Sequence, residues 1–256
     1  MATETLGVAH FIAQSDAVGK FLLVVLLVMS AASWYLIVTK AIAQIKRRRR
    51  SEKFLNLFWN ASSLEEVRNE IATHGAREPF AHLTSHALYA RAHHARHGAA
   101  KLAEAGTPGE FLTRTMKSVL DEETARMESG LAVLASVGAT APFVGLFGTV
   151  WGVYHALVAI GVSGSGTLDK VAGPVGEALI MTGVGLAVAI PAVLGYNYLT
   201  RSNRMLLARL DSFAYELFTF LTTGEPLDTR ANIRDIGSAA RAERPAYPAA
   251  AMSKAH

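Results

Sequence analysis

Apolar residues in this chain come in long unbroken blocks separated by stretches of amphipathic helical spacing. Phe21 to Thr39 contains no Asp, Glu, Lys or Arg, Ser129 to Leu168 contains none either, and Val171 to Thr200 contains only Glu177. A helix needs roughly 20 apolar residues to cross about 30 Å of hydrocarbon. Each block meets that length, so the pattern predicts spans at 20–43, 129–158 and 173–200. Gly161-Val162-Ser163-Gly164-Ser165-Gly166 divides the last two, within a predicted connection over 159–172. Small flexible residues there suit a tight link between antiparallel helices.

Between the first and second spans the spacing is that of amphipathic helices. Ser62-Ser63-Leu64-Glu65-Glu66 holds two overlapping capping boxes, with Gly75 as a stop. Phe80, Leu83, Ala87 and Ala90 give the next helix an apolar face that Gly98 closes. Phe111, Leu112, Met116, Val119 and Leu120 continue the helical spacing, and no Gly or Pro interrupts 110–129. The second span is therefore expected to begin well below the bilayer, as one helix from about residue 110 to about 157, roughly 70 Å long. Leu206, Leu210, Phe213, Leu217 and Phe220 extend the third span in the same way, as a packing seam over 201–223. From 224 to 256 the pattern stops, and the Ala, Arg, Pro and Lys of the end read as a disordered tail. The fold class is thus an all-α membrane protein, its second and third spans extended into a helical bundle that includes residues 44–128.

Composition sharpens this picture. Hydrophobic residues make up 51% of the 256 and charged ones 18%, against about 25% charged in soluble domains. The net charge of +4 would suit nucleic acid, but its placement argues otherwise. Lys40, Lys46, Arg47, Arg48, Arg49, Arg50 and Lys53 follow the first span, which only Lys20 precedes. Arg114, Lys117 and Arg126 precede the second span, and Arg201, Arg204 and Arg209 follow the third. Lys and Arg favour the cytoplasmic side, so residues 1–19 are expected outside, with 44–128 and the C-terminus in the cytoplasm. The basic run is then topogenic, and no nucleic-acid partner is expected. The N-terminal stretch lacks the basic n-region of a signal peptide, so the first span reads as an uncleaved anchor.

Little in the chain suggests enzymatic chemistry. There is no cysteine, hence no thiolate nucleophile or thiolate metal site. His82/His86 and His93/His97 have i,i+4 spacing, but no HExxH pattern is present. Solvated or packed histidines are the expectation, with no metal and no cofactor. Gly19-Lys20 lacks the rest of a phosphate-binding loop.

The spans carry more information. Pro142, Gly145, Thr149, Gly152 and Ala156 recur at steps of three and four, as do Ala178, Thr182, Gly185, Ala189 and Ala192. Each helix thus has a small-residue face bearing one hydroxyl. In lipid, where hydrophobicity gives helices no drive to associate, such faces allow close packing; they are also compatible with the border of a pore. In a symmetric hairpin Thr149 and Thr182 lie at comparable depth. Repeated around an oligomer they would form a polar ring, whereas singly each can bond its own helix backbone. Glu177 is the one carboxylate in the spans. Such groups are costly at a helix centre and face a cavity or partner, so a proton-pathway or gating role stands beside that of an outer-edge residue reaching interfacial water.

Ala141-Pro142-Phe143-Val144-Gly145-Leu146-Phe147-Gly148-Thr149-Val150-Trp151-Gly152 resembles the second-span signature of the ExbB/TolQ/MotA proton-channel family. Glu177-Ala178-Leu179, Thr182-Gly183, Gly185-Leu186 and Ala189-Ile190-Pro191-Ala192-Val193 through Tyr196-Asn197 resemble its third-span signature. Three spans fit the ExbB and TolQ branches, and the stretch from Gly166 to Gly176 favours ExbB. The resemblance implies a homo-oligomeric ring, a pentamer, around the helices of an ExbD-type partner that carries the titrating Asp. It implies Thr149 and Thr182 facing that Asp, Glu177 as an activity-bearing glutamate, and energisation of a TonB-type partner for iron-siderophore uptake. The TonB-type partner is expected on the outer face of the first span, at Ser30, Ser33, Trp34 and Tyr35. Met181-Thr182-Gly183 departs from the Ala-Thr-Ala of many relatives. A TolQ-type subunit and a non-conducting membrane scaffold are the alternative readings.

Overall fold

The computed structural model describes residues 16–97, 107–163 and 168–224. Gly98, the centre of the Gly161–Gly166 connection, the side chain of Glu177 and the tail from 225 lie outside the described residues, as does most of the N-terminal segment. Every element among the described residues is a helix: α1 (Ala17–Asn60), α2 (Leu64–His74), α3 (Pro79–His97), α4 (Pro108–Glu128), α5 (Leu131–Ser163) and α6 (Leu168–Thr223). Three stretches, in α1, α5 and α6, are long and apolar enough to cross a membrane.

Helix α1 starts where the Asp16 carboxylate accepts the Gly19 N–H at 2.7 Å, satisfying a donor that has no partner within the helix. It then runs without a break through the basic stretch to Asn60, about 66 Å of helix. Helix α2 begins at the sequence-predicted cap. Ser63 accepts the Glu66 N–H, Glu66 reaches back to the Ser62 N–H, and Gly75 at φ 76° ends the helix. Thr107 and Glu110 form the reciprocal box that starts α4.

The expectation of one helix from 110 to 157 is corrected. Helix α4 stops at Glu128 and α5 starts at Leu131, separated by Ser129 and Gly130. Gly130 sits at φ 77°, a conformation that a side chain disfavours and that closes helices at their C-termini. Helix also takes up more of the 159–172 connection than expected, since α5 reaches Ser163 and α6 begins at Leu168.

Two zones of core result. In the spans, Leu22 and Leu26 of α1 pack with Val137 and Ala141 of α5 and with Met181, Val188, Ala189 and Ala192 of α6. Leu131, Leu134 and Leu199 continue this packing toward the bundle, against Leu36 and Ile37. In the bundle, Phe54 and Phe58 of α1 meet Phe80, Leu83 and Ala87 of α3, Leu112, Met116 and Val119 of α4, and Leu210, Phe213 and Leu217 of α6. The sequence-predicted apolar faces are those that turn inward. Phe213 lies edge-on to Phe58 at 5.1 Å and to Phe80 at 5.4 Å, the tilted geometry that aromatic quadrupoles favour.

Candidate functional site

Helices α5 and α6 lie against each other along the small-residue faces. A Cβ added to Gly145 would stand 2.6 Å from the Met181 carbonyl oxygen, and one on Gly185 would stand 2.7 Å from that of Ala141. One on Gly152 would meet Ala178 at 2.9 Å. Ala178 and Ala189 are buried in the same seam, with Pro142 half-buried within α5. Only glycine permits this backbone approach, and in lipid the resulting van der Waals contact is what holds the pair together. Met181, the departure noted in the sequence, is buried over Gly148, while Gly183 is exposed with open space beside it. The bulk gained at one position thus covers the flat surface of a glycine on the other helix.

Thr149 and Thr182 meet in this seam. Their hydroxyl oxygens are 2.5 Å apart, and the carbonyls of Gly145 and Ala178 lie 3.2 and 3.1 Å from the Thr149 hydroxyl. The two residues share one level, as the hairpin register predicts. The Thr149 hydroxyl therefore has acceptors on both helices, and both side chains remain half-buried rather than sealed. Around them the outward side chains are apolar: Phe143, Leu146, Phe147 and Val150 on α5, with Leu179, Leu186 and Ile190 on α6.

On the first span Trp34 and Tyr35 are exposed and Ser30 is half-buried. Ser33 is corrected: it is 1% exposed and donates to the Met29 carbonyl at 2.9 Å, so it lies inside the three-span core rather than on the outer face. Near the hairpin turn the Trp151 indole donates to Asp16 at 2.6 Å, and His155 lies 4.5 Å from the indole ring. His155 is a titratable group inside the second span that a reading by carboxylates alone does not reveal. Burial pushes the Asp16 carboxyl upward, but hydrogen bonds from Gly19 and Trp151, with His155 nearby, leave it below its ordinary value.

Where the spans join the bundle, the inward face of α1 is polar for two turns. Gln44 donates to Asn203 at 3.5 Å, Arg47 lies in the field of Glu123 and Arg126, and Ser51 donates to Glu78 at 2.9 Å. Glu123 is 2% exposed, and it accepts from Arg126 at 2.9 Å and lies 2.9 Å from His82 Nδ1. Glu78 also accepts the Phe80 and Ala81 N–H groups at the start of α3. Burial pushes the Glu78 carboxyl above its ordinary value, against those hydrogen bonds. Burial, with Arg126 nearby, holds the Arg47 guanidinium below its own, with Glu123 opposing. The i, i+3, i+7 spacing of Gln44, Arg47 and Ser51 was readable in the sequence, but the surrounding run of lysine and arginine masks it. His82 and His86 do meet ring to ring at 4.7 Å, yet His82 is engaged by Glu123. Among the described residues no group of three ligands fit for a metal occurs.

Three helices long and apolar enough to cross a membrane, a hairpin seam of glycines and a hydroxyl pair are the features of a multi-pass membrane protein. The chain belongs to the MotA/TolQ/ExbB proton channel family, whose model matches residues 77–212. It is 39% identical over 231 residues to the biopolymer transport protein ExbB of Xanthomonas campestris pv. campestris, covering 87% of this chain and 91% of that one. It is 40% identical over 200 residues to the ExbB of Neisseria gonorrhoeae, covering 78% and 89%. The Tol-Pal system protein TolQ of Pseudomonas aeruginosa is 29% identical over 210 residues, covering 82% and 90%. The family and the three spans together make this a multi-pass protein of the bacterial inner membrane.

Proposed function

We propose that this chain is the proton-conducting subunit of an ExbB-type motor, which couples proton motive force to TonB-dependent outer-membrane uptake of iron-siderophores and similar ligands. The observation that carries the reading is the Thr149–Thr182 hydroxyl pair, half-buried at one level of an otherwise apolar hairpin. Five copies around the helices of an ExbD-type partner would set these hydroxyls in a ring opposite the partner's Asp. The hydroxyls accept and donate in turn, with Glu177 toward the outer end as the gating or relaying acid. The N-terminus is periplasmic and the bundle cytoplasmic. Trp34 and Tyr35, with Ser30 beside them, offer the first-span face to a TonB-type partner.

The driving force is sufficient in kind. One elementary charge crossing 100 mV releases about 2.3 kcal/mol, enough to bias a two-state helix arrangement. Several protons per event, stored as rotation of the inner helices, supply the larger work of opening a receptor. Proton flux through the complex in liposomes tests this. The wild type is expected to conduct only with the partner's Asp present, and Thr182→Val is expected to fall to the leak of empty liposomes. Undiminished flux in Thr182→Val removes that residue's role, and absence of Asp-dependent flux in the wild type favours a scaffold. The similarity to TolQ supports a second reading, a Tol-Pal subunit. Restoration of Tol-Pal function but not siderophore uptake in deletion strains would select it.

A further inference from the structure

We infer that Ser129–Gly130, latched by Asn203, is a hinge at which the second span changes direction against the extramembrane bundle, while the third span and its extension stay one continuous strut. The two halves of the hairpin differ in build. Helix α6 runs from Leu168 to Thr223 without interruption, whereas its neighbour is divided between α4 and α5. The division falls at the polar belt of Gln44, Arg47, Asn203 and Glu123, between the span core and the bundle core. Apolar cores interdigitate and resist sliding. A hydrogen-bonded layer can exchange one partner for another.

Asn203 is placed to hold such a joint. It is 8% exposed, and its amide donates at 2.9 Å to the carbonyl of Met127, one of the acceptors left without an intrahelical donor at the end of α4. Its own oxygen accepts from Gln44 of α1 at 3.5 Å, so one side chain of the strut ties the end of α4, just before the break, to the first helix. One turn earlier on α6, the Thr200 hydroxyl oxygen is buried without a partner. Such a group is unusual, and it offers the acceptor and donor that a second arrangement of the layer would use. Gly130 completes the joint. Its φ of 77° is strained for any side chain, and a Cβ there would lie 3.3 Å from Leu36 and 3.7 Å from Lys40 of α1. A swing of α5 at this point is therefore felt directly by the first span.

The chain has no cysteine, so spin labels can be placed at will. One pair, Ser118→Cys with Thr140→Cys, brackets the break on exposed positions of α4 and α5. A second pair of equal sequence separation, Ile190→Cys with Ser212→Cys, lies on exposed positions of α6. Distances are read by pulsed electron paramagnetic resonance on the full chain in its complex in liposomes, with labelled subunits diluted among unlabelled ones. Removing the latch by Asn203→Ala is expected at least to double the width of the first pair's distance distribution and to leave the second unchanged. Gln44→Ala, which leaves the Met127 bond in place, is expected to act in the same direction, and it keeps the test open if the first variant does not assemble. No widening in either variant, or equal widening of the two pairs, overturns the hinge. The readout is a distance, so a chain that proves non-conducting sinks the proposed function and leaves this inference standing.

Discussion

The hairpin seam and the extramembrane bundle share helix α6, yet they are held together by opposite means. In the seam, Gly145 and Gly185 bring backbones into contact, and the polar contact among the described residues is a pair of hydroxyls. In the bundle, Phe58, Phe80 and Phe213 fill the space between helices, and a buried carboxylate is met by His82 and Arg126. Solvent explains the difference. Water drives large apolar side chains inward at about 25 cal/mol per Å², so the bundle gains most from bulk. Lipid gives no such drive, so the spans gain from proximity, and a side chain in the seam is an obstruction.

Removing bulk from the bundle should have the largest effect on stability. Phe213→Ala is expected to destabilise by about 3–5 kcal/mol, read as a fall in the denaturation midpoint in detergent. Adding bulk to the seam comes next. Gly145→Ala is expected to cost about 1–3 kcal/mol of overpacking, whereas a glycine-to-alanine change at exposed Gly183 should be neutral or slightly stabilising. If the two variants behave alike, close backbone approach is not what joins the hairpin.

A third contrast is in pH. Burial raises the Glu78 carboxyl in the folded bundle above its ordinary 4.5. The folded state then binds the proton more tightly than the unfolded chain. The resulting stabilisation is complete below 4.5 and is lost as pH rises through the folded value. Thermal midpoints of wild type relative to Glu78→Gln should therefore climb as pH is lowered from neutral, and no such trend should come from the seam. The smallest effect on stability is expected from Thr149→Val, about 0.6 kcal/mol by analogy with interhelical hydrogen bonds in other membrane bundles. The same change is expected to abolish partner-dependent proton flux. A variant that loses much stability but still conducts would make the hydroxyl a clasp and nothing more.

Much of this division was legible in the sequence because each solvent imposes its own spacing. Blocks free of charge can only be spans, and Leu210, Phe213 and Leu217 recur at steps that only a packed helix uses. The shared level of Thr149 and Thr182 followed from counting outward from the hairpin turn. The break before Leu131 was harder to read. Arg126 in the last turn and Gly130 just beyond it are ordinary C-terminal signals, but they coincide with the start of a charge-free block and were absorbed into it. Ser33 was misplaced for a related reason. A serine in a span can bond its own helix backbone and then pack like a small apolar residue, so polarity alone does not tell which way it faces. The buried belt escaped because Gln44, Arg47 and Ser51 sit among residues whose charge has a sufficient topological explanation, and their partners come from α3, α4 and α6.

The uninterrupted course of α6 has a mechanical meaning. Its 56 residues form a lever arm of about 84 Å. So far as it stays straight, a lean of only about 5° at one end carries the other through about 7 Å, more than one full turn of helix pitch. A lean small in angle at the hairpin end thus becomes a stroke longer than a helical turn at the opposite tip.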